Sequence, residues 1–189
     1  MVEIEREFAY LVNELPANLN EFPSKIIEDN YIPANSEHPI MRIRRNGEKY
    51  EITKKYPVDS TDGGIHGDST RQFEYTIPLT RVEYDFLSKL DGKYFKKRRF
   101  IYEIDGYTAE LDVYLDKLAG LAVVEFEFSN EEEMTKFVKP DFAGADVSQE
   151  LIVAGGMLAG KSYDDIAAEL LKKYGYKPIK NVKKYEEEK

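Results

Sequence analysis

Alternation constrains this chain most. Over its first two thirds, apolar and polar residues exchange at every second position in runs short enough for β-strands. That period sets one face of each strand in an apolar environment and the other against something polar. Residues 2–11, 40–46, 49–56, 71–79, 95–104, 107–115 and 121–128 carry the pattern. Asn46-Gly47 in "RRNGEKY" and Asp105-Gly106 in "EIDGYT" stand between consecutive runs, and each is a type I′ hairpin signal. The expectation is an antiparallel meander. Helices are predicted over 80–90, where Thr80 and Glu83 form a capping box and Gly92 follows, and over about 130–138, stopped by Pro140. Beyond Pro140 the character turns helical, with a segment ending near Ala159 and a second opened by Ser162 and closed by Gly175.

The polar faces carry the chemistry. Residues i, i+2 and i+4 of a strand share a face, so Glu3, Glu5 and Glu7 lie together, as do Arg42 and Arg44. Thr53 with Lys55, Gln72 with Glu74 and Thr76, Lys97 with Arg99, Glu110 with Asp112, and Glu125 with Glu127 follow the same parity. Charges on an ordinary wet sheet face are mixed for solubility; here whole strands carry one sign. Apolar faces opposite these charges, with helices left over to cover them, imply a closed barrel with a polar lumen. Glu3, Glu5, Glu7, Glu74, Glu110, Asp112, Glu125 and Glu127 outnumber Arg42, Arg44, Lys55, Lys97 and Arg99 there, so the lumen alone cannot attract an anion. Carboxylates plus one or two Mg²⁺ ions would reverse that balance, since hard dications take oxygen ligands and bridge them to phosphate, while Arg and Lys grip the other phosphate oxygens. A polyphosphate is the ligand this chemistry suits.

Composition narrows the field. With 189 residues and 42% hydrophobic content, one well-packed domain is expected. The absence of cysteine removes thiolate chemistry and Cys-based zinc sites, and two isolated histidines make a His-metal centre a poor fit. A net charge of −9 disfavours nucleic acid as the main partner. No apolar run is long enough to span a bilayer and the N-terminus is charged from residue 3, so a cytoplasmic protein without membrane contact is expected, as monomer or homodimer.

Two local motifs compete for attention. "GGMLAGKS", residues 155–162, matches G-x-x-x-x-G-K-[ST], but a P-loop also needs a parallel sheet and later βαβ units, and only 27 residues follow Ser162. The expected structure there is a turn between helices, with Gly160 after the first and Ser162 before the second. The Gly- and Asp-rich stretch 58–71 lacks EF-hand spacing and is expected to be a mobile connection.

"EIERE" at the start, "RIRRNGEKYEITKK" across a hairpin, then "ELDVY" and "VVEFEF" occur in the order and parity of one family. Together they resemble the CYTH domain of the triphosphate tunnel metalloenzyme superfamily, over residues 2 to about 148. The resemblance implies an α+β fold: a closed eight-stranded antiparallel β-barrel, or tunnel, with flanking helices and a C-terminal helical segment. The barrel is expected over 1–147; the helical pattern beyond it gives an extension over 148–177 packed on the barrel, and the charged composition of 178–189 gives a disordered tail. By resemblance the activity is metal-dependent hydrolysis of a triphosphate, inorganic or organic, with Mg²⁺ or Mn²⁺; a triphosphate or polyphosphate-binding module and a class IV adenylyl cyclase are the alternatives. Glu3, Glu5, Glu74, Glu110, Asp112, Glu125 and Glu127 look like metal-binding carboxylates, and Arg42, Arg44, Lys55, Lys97 and Arg99 like the phosphate-binding set. Glu5, Glu127 and Tyr31 are the implied catalytic residues. The chain departs from the family signature E-x-E-x-K at Glu7, and from its arginine and second glutamate at Gln72 and Thr76; Tyr31 is expected to face Glu7.

Overall fold

A computed structural model describes residues 2–186 of the chain. Nine strands form: β1 (Val2–Val12), β2 (Ser24–Ile32), β3 (Met41–Asn46), β4 (Lys49–Pro57), β5 (Arg71–Leu79), β6 (Lys93–Ile104), β7 (Tyr107–Tyr114), β8 (Ala122–Glu127) and β9 (Ala143–Asp146). Among the described residues every strand pairing is antiparallel, in the order β5-β4-β3-β2-β6-β7-β8-β1-β9. The first half of β1 pairs with β5, Glu5 opposite Gln72, while its second half pairs with β8, Glu7 opposite Glu127. That contact closes eight strands into a barrel, and β9 prolongs the β1 edge where β5 ends.

The seven alternating runs became strands to within two residues at either end. β2 was not foreseen, because neither face is uniform: Lys25, Ile27, Asp29 and Tyr31 share one side, Ile26, Glu28, Asn30 and Ile32 the other. At the β6–β7 turn both Asp105 and Gly106 have positive φ, as type I′ requires. The β3–β4 turn differs from expectation: Asn46 pairs with Lys49, the turn residues are Gly47 and Glu48, and only Gly47 has positive φ.

Helices are short. α1 (Arg81–Leu87) starts with the Thr80–Glu83 capping box, and α2 (Glu131–Lys136) starts at Asn130, whose side chain accepts from the Glu133 amide. The helix expected before Ala159 is broken into a 3-10 turn at Leu151–Val153 and α3 (Gly155–Leu158). Gly160 follows with φ of 83°, and α4 (Asp164–Tyr174) ends at left-handed Gly175. Ser162 stands one residue before the N-cap Tyr163, yet its amide and hydroxyl both donate to Asp165. Stretch 58–70 is pinned by its own polar groups, with Asp59 accepting from the Asp68 amide and Ser60 from that of Gly64. The tail expectation fails over 178–186. Val182 and Tyr185 are buried, the Ile179 amide donates to Gly120, and the Arg98 guanidinium, buried on the outer face of β6, donates to the Tyr185 carbonyl at 2.5 Å. Residues 187–189 lie outside the described part.

Two apolar clusters divide the labour. One coats the outside of β6, β7 and β8, joining Phe100, Leu111, Val124 and Phe126 to Leu19, Val182 and Tyr185. The other fills one end of the bore: lumen-side Leu11, Tyr31, Phe95, Tyr114 and Val123 meet Ile152, Leu158, Ile166, Leu170 and Tyr176 from the C-terminal helices. "GGMLAGKS" belongs to this stopper. A Cβ on Gly155 would lie 2.1 Å from the Tyr31 hydroxyl, and one on Gly156 2.1 Å from the Pro39 carbonyl, so both glycines are there to let backbone approach the barrel. The motif has no parallel strand before it, and Lys161 does not line the tunnel.

Gly156→Ala is therefore expected to cost about 2 kcal/mol and to lower the thermal midpoint by about 5 °C. Lys161→Ala should leave both the midpoint and phosphate affinity unchanged, as followed by thermal unfolding and calorimetry.

Candidate functional site

The bore is a cavity of about 370 Å³, and its walls follow the strand parity. Glu5, Glu7, Arg42, Arg44, Lys55, Glu74, Lys97, Arg99, Glu110, Glu125 and Glu127 all line it. Each lumen row changes from charged to apolar toward the stopper: Glu5 and Glu7 lead to Leu11, Glu125 to Val123, Asp112 to Tyr114, and Lys97 to Phe95. Charges thus gather in the middle and at the far mouth.

One pole of the cavity is acidic. Glu5, Glu7 and Glu127 each present a carboxylate oxygen within 4.8 Å of the other two. Among the described residues the ion-pair partner of this cluster is Lys55, whose ammonium touches Glu5 and lies 3.7 Å from Glu7 and 3.6 Å from Glu74. Glu5 Oε2 is met by that ammonium. Burial and then the Glu5 charge push the Glu7 carboxyl up to about 8, against the pull of Lys55. Glu127 reaches solvent at the mouth although protein surrounds most of it; burial, then Glu110 and Glu5, raise it to about 7. For Lys55 burial works against the charge, but Glu5 and Glu7 outweigh it and hold the ammonium protonated.

The opposite wall is basic and cross-braced. Asp29, fully buried, receives Arg44 Nε and Nη2 at 2.7 Å each. Burial would raise the Asp29 carboxyl, yet the Arg44 charge and its two hydrogen bonds hold it at about 2. Arg99 is gripped by Glu110, Asp112 and Glu125, and Lys97 by Asp112. Burial again opposes the ionised form of Glu125, but Arg99 and Lys97 bring it down to about 2. Arg42 donates from Nη1 to the Tyr31 hydroxyl at 3.3 Å and approaches Glu74 at 3.7 Å, while its buried Nε has no partner. Glu74 also accepts from the Thr76 hydroxyl at 2.7 Å.

Of the residues expected from sequence, Glu5, Glu74, Glu110, Glu125, Glu127 and the five bases meet in the bore, and Asp112 sits in its wall. Glu3 shares their face but is exposed at the mouth and does not line the cavity. Tyr31 turns to Arg42 and, through its ring, to Phe95 at 5.8 Å, and its hydroxyl stands in the stopper against Gly155, where the expectation was Glu7. Glu110, Asp112 and Glu125 surround Arg99 and are apart from the Glu5–Glu7–Glu127 cluster. Lys25, Asn46 and Glu51 also line the bore and were not singled out. Lys25 and Asp29 belong to β2, whose mixed faces hid them, whereas Asn46 and Glu51 sit at lumen parity beside recognised residues and could have been read. Arg71 points outward, to Asp68 and Glu131.

A closed antiparallel barrel whose bore opposes an acidic pole to a braced basic wall defines a tunnel protein. The chain belongs to the CYTH domain family, whose profile matches residues 1–167. A protein named inorganic triphosphatase from Nitrosomonas europaea is 30% identical over 152 residues, covering 79% of this chain and 91% of that protein. Another of the same name, from Acetivibrio thermocellus, is 29% identical over 108 residues, covering 57% of this chain and 64% of that one. A crystal structure of an inorganic triphosphatase superposes with a TM-score of 0.58 at 24% identity, over 83% of this chain and 95% of that one, and shares the fold.

Asp29 supplies a pH signature. Its folded pKa lies below the ordinary 3.8, so the stability it confers is present above about pH 4 and is lost as pH falls through 2. Asp29→Asn should lose on the order of 2 kcal/mol less between pH 4 and pH 2 than the native chain, in denaturant titrations, while being weaker by about 3 kcal/mol at pH 7 because Arg44 is left buried without its partner.

Proposed function

We propose that this protein hydrolyses the terminal phosphoanhydride of a triphosphate held in the bore, inorganic triphosphate or a small organic triphosphate. The observation that carries the reading is the opposition of Glu5 and Glu127 to Arg42, Arg44, Lys97 and Arg99 in one cavity, with Lys55 beside Glu5, and the names of the relatives support it. Glu5 and Glu127 suit a divalent cation: they are oxygen donors, and with a third carboxylate they converge to within 4.8 Å of one another. Mg²⁺ or Mn²⁺ held there would withdraw charge from the phosphate oxygens. Glu3, at the exposed mouth, and Glu74 stand near enough in the fold to serve the approach of such an ion.

The protein's own groups do the rest. Arg42, with its Nε unpaired, and Arg44, Lys55, Lys97 and Arg99 bind phosphate oxygens and absorb charge as the P–O bond to the leaving group lengthens. Tyr31 orients Arg42 through its hydroxyl. Asp112, Glu110 and Glu125 fix the positions of Arg99 and Lys97. A carboxylate of the acidic pole, Glu5 or Glu127, orients the attacking water and accepts its proton; the terminal phosphoryl passes to water as phosphate, and the diphosphate departs, as pyrophosphate from inorganic triphosphate or as the organic diphosphate otherwise. The apolar stopper keeps bulk water from that end of the cavity.

A phosphate-release screen over inorganic triphosphate, thiamine triphosphate, ATP and GTP, each with Mg²⁺ or Mn²⁺, tests this reading. Turnover is expected on at least one, abolished by EDTA and reduced about 10²- to 10⁴-fold by Glu127→Gln. Activity surviving both would overturn it, tight binding without release would select a binding module, and cyclic AMP among the products of ATP would select a cyclase.

A further inference from the structure

The acidic pole holds a residue that the hydrolysis reading leaves unused. Glu7 follows Glu5 on the same face of β1 and stands opposite Glu127 in the β1–β8 register. Its side chain is 17% exposed and lies inside the cluster where three carboxylates offer oxygens within 4.8 Å of one another. Lys55 brings a single positive charge to Glu5, Glu7 and Glu74 together. Carboxylates crowded this way repel, and the chain places a glutamate where a neutral or basic side chain would have relieved the crowding.

We infer that Glu7 is a third cation-holding carboxylate beside Glu5 and Glu127, and that the Lys55 ammonium is a stand-in which the divalent ion displaces. The geometry gives Lys55 somewhere to go. It shares Glu74 with Arg42, at 3.6 Å and 3.7 Å respectively, in the wall of the same cavity, so an ammonium released from Glu5 and Glu7 becomes available to an anion in the bore. Cation and phosphate ligand then bind with positive coupling, because the first frees a positive charge for the second, and the coupling is reciprocal. An all-oxygen set of three carboxyl groups selects hard dications over a soft ion such as Cu⁺.

This inference rests on the cation part of the hydrolysis reading and not on turnover, and its test is read without substrate. Mn²⁺ is titrated into the apo protein at fixed pH and followed by calorimetry and by the loss of free Mn²⁺ signal in electron paramagnetic resonance. Glu7→Gln should weaken Mn²⁺ binding tenfold or more, and Lys55→Met should tighten it several-fold. Native protein should bind non-hydrolysed imidotriphosphate more tightly with Mn²⁺ than without, and Lys55→Met should show a smaller difference. Glu7→Gln removes one charge from a crowded cluster and is expected to fold, so it carries the test even if Lys55→Met does not. Mn²⁺ affinity unchanged in Glu7→Gln would overturn the inference, as would weaker Mn²⁺ binding in a folded Lys55→Met. Native protein that binds Mn²⁺ through Glu7 but releases no phosphate would remove the hydrolysis reading and leave this one standing.

Discussion

Closure of the sheet is the constraint on which everything else depends. Once β1 pairs with both β5 and β8, the barrel has a single interior, and every row of side chains on that parity must face all the others. Charges that would be solvated on an open sheet are confined where water is scarce, and they must find partners. Arg44 finds Asp29, Lys97 finds Asp112, and Arg99 finds three carboxylates. Around Lys55 the pairing is incomplete, because a single ammonium serves several carboxylates. The braced wall and the under-compensated pole are two outcomes of one topological fact.

Alternation made most of this legible. Wherever a strand buried one apolar face and turned charges inward, as in "VVEFEF" or "MRIRR", the parity alone named the lumen residues. It failed for β2, where Ile27 faces the bore among Lys25, Asp29 and Tyr31 while Glu28 and Asn30 face outward. The buried ion-pair partner Asp29 and the bore-lining Lys25 disappear from view when both faces are mixed. The tail failed for a different reason: its composition reads as solvated, but the buried guanidinium of Arg98 needs an acceptor and Phe100 needs an aromatic cover, and Tyr185 supplies both. Glycine spacing misled at 155–162, since close approach to Tyr31 and Pro39 demands glycine as firmly as a phosphate loop does.

Less obvious is how the sequence encodes which end of the bore is blocked. Along β1, β6, β7 and β8 the inward rows pass from charged to apolar in the same spatial direction, although the strands alternate in chain direction. Adjacent strands therefore carry the transition in opposite order: apolar then charged from Phe95 to Arg99 in β6, charged then apolar from Glu110 to Tyr114 in β7. No single segment shows this. It becomes visible only when the rows are laid side by side in register, which is why the stopper of Leu11, Tyr31, Phe95, Tyr114 and Val123 required the fold to be seen.

That stopper also sets the traffic. With one end of the bore packed by Leu158, Ile166 and Tyr176, whatever enters does so past the exposed carboxylates at the other mouth and leaves by the same doorway. A fragment left near that mouth would stand in the path of the next arrival.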